Sequence, residues 1–176
     1  MHNPGNTQRR RDLTGSTNVA KDKKIAPVVG DSEKFRAFIS KELFPEINER
    51  YRTTAKRSII GESLAGLFVV ETFLLTPDMF DNYIAFDPSL WWNDKYLVRN
   101  AKEYLSKFPP QDKKIWVAGS GTKGISKNVK RFTEMLRAVN LANVKWKYAP
   151  EPKEEHGTIF RATKEKAIIW TLNETE

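Results

Sequence analysis

Residues 57–75 read RSIIGESLAGLFVVETFLL, and the rest of the predicted fold is arranged around them. A short apolar run with β-branched residues leads into a turn at Ser63, and an almost wholly apolar segment follows. Apolar runs of these lengths predict a buried strand over residues 57–61 and a buried helix over residues 63–75. A buried strand, a sharp turn with serine at its apex and a buried helix together form the architecture of a nucleophile elbow.

The turn has the small residues that such an elbow requires. The serine holds a strained backbone conformation, so the residues two before and two after it crowd each other. Here these residues are Gly61 and Ala65. The turn would lift the Ser63 hydroxyl above the sheet edge and point the backbone N–H of Leu64 to the place where an oxyanion forms. A serine that only caps the N-terminus of a buried helix is the alternative interpretation.

Length and composition bound the class of protein. The 176 residues suit a single domain over 1–176, and an apolar fraction of 39% is enough for a hydrophobic core. The sequence lacks a run of about 18 apolar residues, so it predicts no membrane span. Residues 1–15 lack the apolar core of a signal peptide, and the compartment stays open. With no cysteine, and with His2 and His156 as its two histidines, the chain predicts no metal and no cofactor.

The formal net charge of +8 raises the question of a nucleic-acid partner. A nucleic-acid surface gathers basic residues on one face with aromatic residues among them. The basic clusters of this chain, at 9–11, 21–24 and 113–114, are scattered and have acidic residues nearby. We therefore expect a solvated basic surface and do not predict a nucleic-acid partner.

The remaining patterns divide the chain into alternating strands and helices. Residues 1–31 are polar with little periodicity and predict a loop-like N-terminal segment. Residues 33–51 repeat apolar side chains at three- and four-residue steps, which predicts an amphipathic helix that Pro45 kinks or splits at Phe44. Further patterns predict strands at 83–86, 115–118 and 144–149 and helices at 94–108, 126–139 and 158–172.

This order of elements predicts an α/β fold. Four strands separated by helices indicate a mostly parallel sheet with helices on both faces. In the last strand, Val144, Trp146 and Tyr148 alternate with lysines, which predicts an edge strand with one exposed face.

A serine hydroxyl is a poor nucleophile unless a base lies within hydrogen-bond reach. His156 follows the last predicted strand, at the same sheet edge as Ser63, and Gly157 lets its loop approach. For the acid that orients the histidine, Asp87 is the first choice because it ends the strand beyond the elbow. The order serine, acid, histidine is that of α/β-hydrolases. A surface histidine among charged residues is the alternative for His156.

Several other polar and aromatic residues are candidates near this edge. Glu154 and Glu155 stay open as the acid if a turn permits, although both lie close to the histidine in sequence. Glu62, on the elbow, is predicted to orient groups at the floor of a substrate pocket. Trp91 and Trp92 either wall that pocket or seal the core.

A glycine-rich loop offers a rival hypothesis. Gly119, Gly121 and Gly124 spell G-x-G-x-x-G between a predicted strand and helix, as in dinucleotide-binding proteins. Only about 50 residues remain after it, too few for the rest of such a domain. Lys123 is followed by glycine, whereas a P-loop needs serine or threonine there. The same loop has no acid, although α/β-hydrolases usually carry theirs there.

The run IIGESLAGLFVVETFLLTPDMFDNYIAFDPSLWW, residues 59–92, resembles the putative esterase family of the α/β-hydrolase superfamily, which contains esterase D-like and enterochelin-esterase-like enzymes. The family pattern is G-x-S-x-G-G-L, a helix, P-x-x-F, a strand and S/D-P-S-L-W-W. RDLTG at 11–15 and HG at 156–157 resemble further family segments. The resemblance implies hydrolysis of a small-molecule ester through an acyl-enzyme on Ser63, with His156 as general base and the Leu64 amide in the oxyanion hole.

The chain departs from the family pattern in two places. Ala65 replaces the usual glycine of the elbow. Family members also carry strands before the R-D-L-T-P segment, including one that supplies a second oxyanion amide, so we expect an N-terminally truncated hydrolase. Losing that donor would cost on the order of 10²–10³ in rate, and the exposed sheet edge would invite self-association. A weakly active or inactive fragment that acts as a basic binding module is therefore an alternative function.

Overall fold

The computed structural model describes residues 4–173 and contains one parallel β-sheet of four strands in sequence order. The strands are β1 (Ser58–Glu62), β2 (Asn82–Phe86), β3 (Lys113–Ser120) and β4 (Val144–Glu151). All three neighbouring pairs are parallel, with Ile60 opposite Ile84 and Ile84 opposite Trp116. The predicted number of strands and their parallel arrangement are confirmed.

Helices connect and flank these strands. They are α1 (Pro4–Asp12), α2 (Ala20–Lys23), α3 (Ser32–Phe38), α4 (Phe44–Arg50), α5 (Leu64–Leu75), α6 (Trp92–Ser106), α7 (Ser126–Val139) and α8 (Ile159–Leu172). A π-helical segment, Ile39–Leu43, joins α3 to α4, and a short 3-10 turn, Pro77–Met79, precedes β2. No helix among the described residues is long and apolar enough to cross a membrane.

The two faces of the sheet carry separate cores because successive strand residues point to opposite sides. On one face, Tyr83, Ile115 and Val117 are buried beneath α5, α6 and α7. On the other face, Ile84, Phe86, Trp116 and Ala118 pack against Ile159 and Ala167 of α8. Helices therefore cover both faces, as predicted.

The prediction of a loop over residues 1–31 is wrong for two segments. Residues 4–12 form α1 and residues 20–23 form α2, while residues 1–3, which include His2, lie outside the described part of the chain. The sequence of α1, PGNTQRRRD, has no apolar period, so periodicity could not reveal it. Tertiary contacts hold it instead: the Arg10 guanidinium donates to the Ile25 carbonyl, and the Asp31 amide donates to the Arg11 carbonyl at 2.9 Å.

The predicted interruption near Pro45 takes the form of the π-helical segment. Proline has no amide hydrogen, so the helix cannot keep its regular bonding there. The Phe44 amide instead donates to the Ile39 carbonyl, five residues back. The wider turn shifts the apolar positions that follow relative to the 3.6-residue period. Ile39 is buried, whereas Ile47 is 38% exposed, so the predicted apolar face is only partly covered.

The sheet has β1 and β4 at its edges. In β4, Lys145 and Lys147 are exposed and alternate with the half-buried Trp146 and Tyr148, which confirms the predicted edge strand. At the other edge, Ile60 of β1 is 46% exposed. Self-association through such an edge stays a prediction.

Candidate active site

The carboxyl ends of the four strands lie at one edge of the sheet because all strands run in the same direction. Ser63 follows β1, Asp87 follows β2, Ser120 is the last residue of β3, and His156 lies in the loop after β4. Four segments that are far apart in sequence therefore meet at one place.

Ser63 stands on a strained turn between β1 and α5. Its backbone angles are φ 59° and ψ −117°, in a region that non-glycine residues rarely adopt. Three backbone hydrogen bonds hold it there: its amide donates to the Phe86 carbonyl at 3.0 Å, and its carbonyl accepts from the amides of Leu67 at 2.8 Å and Ser89 at 3.0 Å. The turn is therefore anchored to the end of β2 as well as to its own helix.

The small residues around this turn are required by close backbone contacts. A Cβ atom added to Gly61 would lie 2.4 Å from the Ala65 carbonyl oxygen, which is the crowding that the sequence predicted. Gly66, which the sequence analysis did not single out, is also confined: its added Cβ would lie 3.0 Å from the Phe86 carbonyl and 3.1 Å from the Pro88 Cα. In the sequence, Gly66 could have been recognised as the second small residue after the serine, as in the family pattern G-x-S-x-G-G.

Three side chains form a hydrogen-bonded line at this edge. The Ser63 Oγ lies 3.0 Å from Nε2 of His156, and Nδ1 of the same ring lies 3.1 Å from Oδ2 of Asp87. A carboxylate can only accept, so Nδ1 carries a proton and Nε2 of the neutral ring accepts from the serine. This arrangement can remove the hydroxyl proton as a carbonyl carbon is attacked.

Asp87 is fully buried and is held by hydrogen bonds on both carboxylate oxygens. Its Oδ1 accepts from the Ser120 amide at 2.7 Å, and its Oδ2 accepts from the Ser120 hydroxyl as well as from His156. The backbone is held too, because the Asp87 amide donates to the Ala118 carbonyl at 3.0 Å, and its φ of 40° turns the chain away from the strand. A buried carboxylate needs such donors because it has lost its water.

The loop after β4 is fixed by the loop after β3. The His156 amide donates to Oγ1 of Thr122 at 3.0 Å, and the Gly121 amide donates to the Glu154 carbonyl at 2.9 Å. A Cβ atom on Gly121 would lie 2.3 Å from the Pro152 carbonyl oxygen, so only glycine lets the two loops approach. These contacts set the position from which the imidazole reaches Ser63.

The glycine loop thus has a structural use that does not involve a nucleotide. Gly121 faces the Pro152 carbonyl, and Gly119 lies against Tyr148, whose hydroxyl would be 3.0 Å from an added Cβ. Burial raises the pKa of the Tyr148 phenol, and the negative charge of Asp87 adds to that effect, so the phenol stays neutral beside the site. The nucleotide hypothesis gains no support from these contacts.

The other predicted site residues differ in their positions relative to Ser63, His156 and Asp87. Leu64 is the first residue of α5, where the amides have no acceptor within the helix. Glu62 is half-buried at the end of β1. Glu154 and Glu155 contribute backbone carbonyls to loop hydrogen bonds, and the contact with Nδ1 comes from Asp87. The roles of Leu64 and Glu62 stay predictions.

The two tryptophans differ in their surroundings. The Trp92 indole is 5% exposed and donates to the Gly15 carbonyl at 2.9 Å, so it ties the N-terminal segment to the core. It also lines a cavity of about 430 Å³ beside α3 and α5, together with Arg36 and Glu71. Trp91 is half-buried and lies 5.9 Å from Trp92 between ring centres. Their assignment to a substrate pocket stays a prediction.

Sequence reasoning missed a second serine beside the nucleophile candidate. The Ser89 side chain is 2% exposed, and its Oγ lies 3.4 Å from the Ser63 Oγ. In the sequence, Ser89 could have been recognised by its position two residues after Asp87, directly after the end of a strand.

Comparisons with known proteins identify the family and the fold. A family model described as putative esterase matches residues 4–158. The ferri-bacillibactin esterase BesA of Bacillus subtilis (strain 168) is 38% identical over 109 residues, which cover 58% of this chain and 38% of that protein. The crystal structure of the BES protein from Bacillus cereus has a TM-score of 0.82 at 23% identity and covers 92% of this chain and 64% of that one.

A second structure has the same fold. The IroE-like serine hydrolase from Shewanella oneidensis has a TM-score of 0.82 at 22% identity, covering 95% of this chain and 56% of that one. The fold is therefore of the α/β-hydrolase type. The chain spans less than two thirds of the length of each of these relatives.

Proposed function

The chain belongs to the putative esterase family, and from that premise we propose that it hydrolyses carboxylic esters through an acyl-enzyme on Ser63. The observation that carries the proposal is the continuous line from the Ser63 hydroxyl through His156 to Asp87, with heavy-atom distances of 3.0 and 3.1 Å. These are the distances at which a base can take a proton from a nucleophile.

In the first half-reaction, the Ser63 oxygen attacks the ester carbonyl carbon while Nε2 of His156 takes the hydroxyl proton. The carbonyl electron pair moves onto its oxygen, and the Leu64 amide at the N-terminus of α5 donates to that oxyanion. The intermediate then collapses, the bond to the alkoxy oxygen breaks, and the imidazolium returns its proton to the leaving alcohol. Asp87 accepts from Nδ1 throughout, which holds the ring and stabilises its positive charge.

In the second half-reaction, water replaces the alcohol. His156 takes a proton from that water, whose oxygen attacks the acyl-enzyme carbonyl. The carboxylic acid leaves as the proton returns to the Ser63 oxygen. One water is consumed, and the ester yields one acid and one alcohol.

For the substrate class, we propose ester-linked siderophores. The support is that relatives are named for such substrates, including BesA and the siderophore enterobactin esterase of Emericella nidulans, which is 29% identical over 75 residues. Incubation with enterobactin and mass spectrometry of the products tests this, since each ester that is cleaved adds the mass of one water. Turnover of p-nitrophenyl acetate without any change to enterobactin would remove the siderophore proposal and leave the esterase.

The serine mechanism is tested with Ser63→Ala. The variant should lose turnover of p-nitrophenyl acetate by on the order of 10⁴-fold or more and lose labelling by a fluorophosphonate. Ser106→Ala is the control, because Ser106 is an exposed serine on α6 whose hydroxyl bonds the Glu103 carbonyl. Equal labelling of the wild type and Ser63→Ala would contradict the proposal.

A further inference from the structure

Both hydrogen-bond donors that Ser120 carries are aimed at the same carboxylate. Its amide donates to Oδ1 of Asp87 at 2.7 Å, and its hydroxyl donates to Oδ2. One bond to each oxygen fixes the plane of the carboxylate as well as its position. A single bond would leave the group free to rotate about the bond between Cβ and Cγ.

The direction of the Ser120 hydroxyl is set by its other neighbour. The Thr122 amide donates to the Ser120 Oγ at 3.1 Å, which occupies a lone pair of that oxygen. The hydroxyl proton is therefore available for Asp87. Because the Ser120 side chain is 3% exposed and Asp87 is fully buried, water does not compete for either bond.

The same short segment also holds the histidine. Oγ1 of Thr122 accepts from the His156 amide at 3.0 Å, so residues 120–122 contact both the acid and the base of the proposed mechanism. Oδ2 of Asp87, which the Ser120 hydroxyl holds, is the oxygen that lies 3.1 Å from Nδ1 of His156. A rotation of the carboxylate would break the contact that orients the imidazole toward Ser63.

We propose that Ser120 is a positioning residue that holds Oδ2 of Asp87 against the His156 ring. This inference rests on the proposed serine esterase function and adds a fourth side chain to it. The Ser120 side chain bonds to Asp87 and to the Thr122 amide rather than to Ser63, so it acts through the acid. Ser120 is the last residue of β3, directly before the loop where an α/β-hydrolase usually carries the acid itself, while the acid here follows the neighbouring strand, β2.

The test compares Ser120→Ala with Ser120→Thr, because the second keeps the hydroxyl. Ser120→Ala should lower kcat for p-nitrophenyl acetate about 10- to 100-fold and leave KM within about twofold, since a hydrogen bond to a charged group is lost without loss of a substrate contact. In the proton NMR spectrum, the downfield resonance of the His156 Nδ1 proton should broaden or move upfield. Ser120→Thr should restore both the resonance and most of the rate.

Ser32→Ala provides a matched control. Ser32 is also buried, and its hydroxyl also donates to a buried carboxylate, Glu71, at 3.0 Å, but it does not contact the line at Ser63. The Ser32→Ala substitution should lower the melting temperature and leave kcat and the resonance of the His156 Nδ1 proton unchanged. Wild-type kcat and resonance in Ser120→Ala would overturn the inference, and so would an equal loss in the Ala and Thr variants when both fold.

The resonance also separates this inference from the proposed function. It reports the contact between Asp87 and His156 without any turnover. If Ser63→Ala fails to abolish labelling while Ser120→Ala still perturbs the resonance, the esterase mechanism fails and the positioning role of Ser120 stands.

Discussion

Asp87 and Glu71 are both buried, and their carboxylates are supported very differently. Asp87 accepts on both oxygens, from the Ser120 amide and hydroxyl and from the His156 ring. Glu71 of α5 accepts on Oε1 from the Ser32 hydroxyl at 3.0 Å, and Arg36 faces the same oxygen at 3.6 Å, beyond hydrogen-bond distance. Its Oε2 is buried and has no hydrogen-bond partner among the described residues.

The difference shows what burial alone means for a carboxylate. Burial raises the pKa of Glu71, and the Arg36 charge and the Ser32 hydroxyl oppose this only in part. Glu71 lines the cavity beside α3 and α5, whereas Asp87 lies at the sheet edge and contacts the imidazole of His156. The contact with a titratable partner, rather than depth in the core, is what makes Asp87 the candidate for catalysis.

Among the changes that test this comparison of the two carboxylates, Asp87→Asn has the largest expected effect. An amide in place of the carboxylate can donate to Nδ1, which favours the ring tautomer that cannot accept from Ser63. We expect kcat for p-nitrophenyl acetate to fall by about 10³–10⁴-fold with little loss of folded protein. Glu71→Gln makes the same chemical change in another buried carboxyl and should keep the rate within about threefold, since Glu71 contacts none of Ser63, His156 and Asp87. Similar rates for both variants would remove the distinction between the two sites.

The next effect is on stability and concerns the partner of Glu71. Arg36→Met leaves a buried carboxylate without its cation, so the free energy of unfolding in urea should fall by about 3–5 kcal/mol. Arg50→Met is the control: Arg50 is exposed and pairs with Glu46 on the surface of α4, so its loss should cost less than about 1 kcal/mol. Adding Glu71→Leu to Arg36→Met should recover much of the stability. No recovery would mean that the pair matters through packing rather than charge.

The smallest effect is a dependence of stability on pH. A carboxyl whose pKa is raised in the folded protein binds more protons when folded, so its contribution is full below the unfolded value and is lost as the pH rises. For Glu71 this loss begins near the ordinary value of 4.5 and continues through its raised pKa. As the pH rises from 4 to 8, the melting temperature of Glu71→Gln should therefore increase relative to that of the wild type. The expected increase is a few degrees, at about 2–4 °C per kcal/mol.

Glu103→Gln is the control, because the contribution of Glu103 to stability should depend on pH in the opposite direction. Its hydrogen bond and ion pair with Lys107 lower the pKa of Glu103, so its contribution is present above its ordinary value and is lost as the pH falls. Because this side chain is exposed, the effect should be small. If the melting temperatures of Glu71→Gln and the wild type change with pH in parallel, then Arg36 fully compensates the burial of Glu71.

Much of the fold could be predicted because its elements have strong apolar patterns. Helix α7 occupies the predicted residues 126–139, and the predicted strands lie within one or two residues of β1 to β4. Helix α1 could not be found this way, because it is polar and is held by tertiary hydrogen bonds such as that from Arg10 to the Ile25 carbonyl. The π-helical turn before Pro45 could be predicted only as an interruption, because the proline indicates a missing amide but not how the helix compensates for it.

The candidate site could be predicted in part for a similar reason. Ser63, Asp87 and His156 each follow a recognisable strand, so their arrival at one edge follows from a parallel sheet. Ser120 gave no such signal, because a serine among glycines is typical of any loop. Its contact with Asp87 depends on the register of β2 and β3, where Phe86 stands opposite Ala118, and sequence does not reveal register at that resolution.

The backbone angles of Ser63, φ 59° and ψ −117°, also limit which mutations this position can accept during evolution. Threonine carries the same hydroxyl, yet its branched Cβ is poorly accommodated at a positive φ. Chemical similarity and conformational tolerance therefore point to different replacements. A randomised library at this position, sorted for folded protein, should return glycine, alanine and cysteine well before threonine, valine or isoleucine.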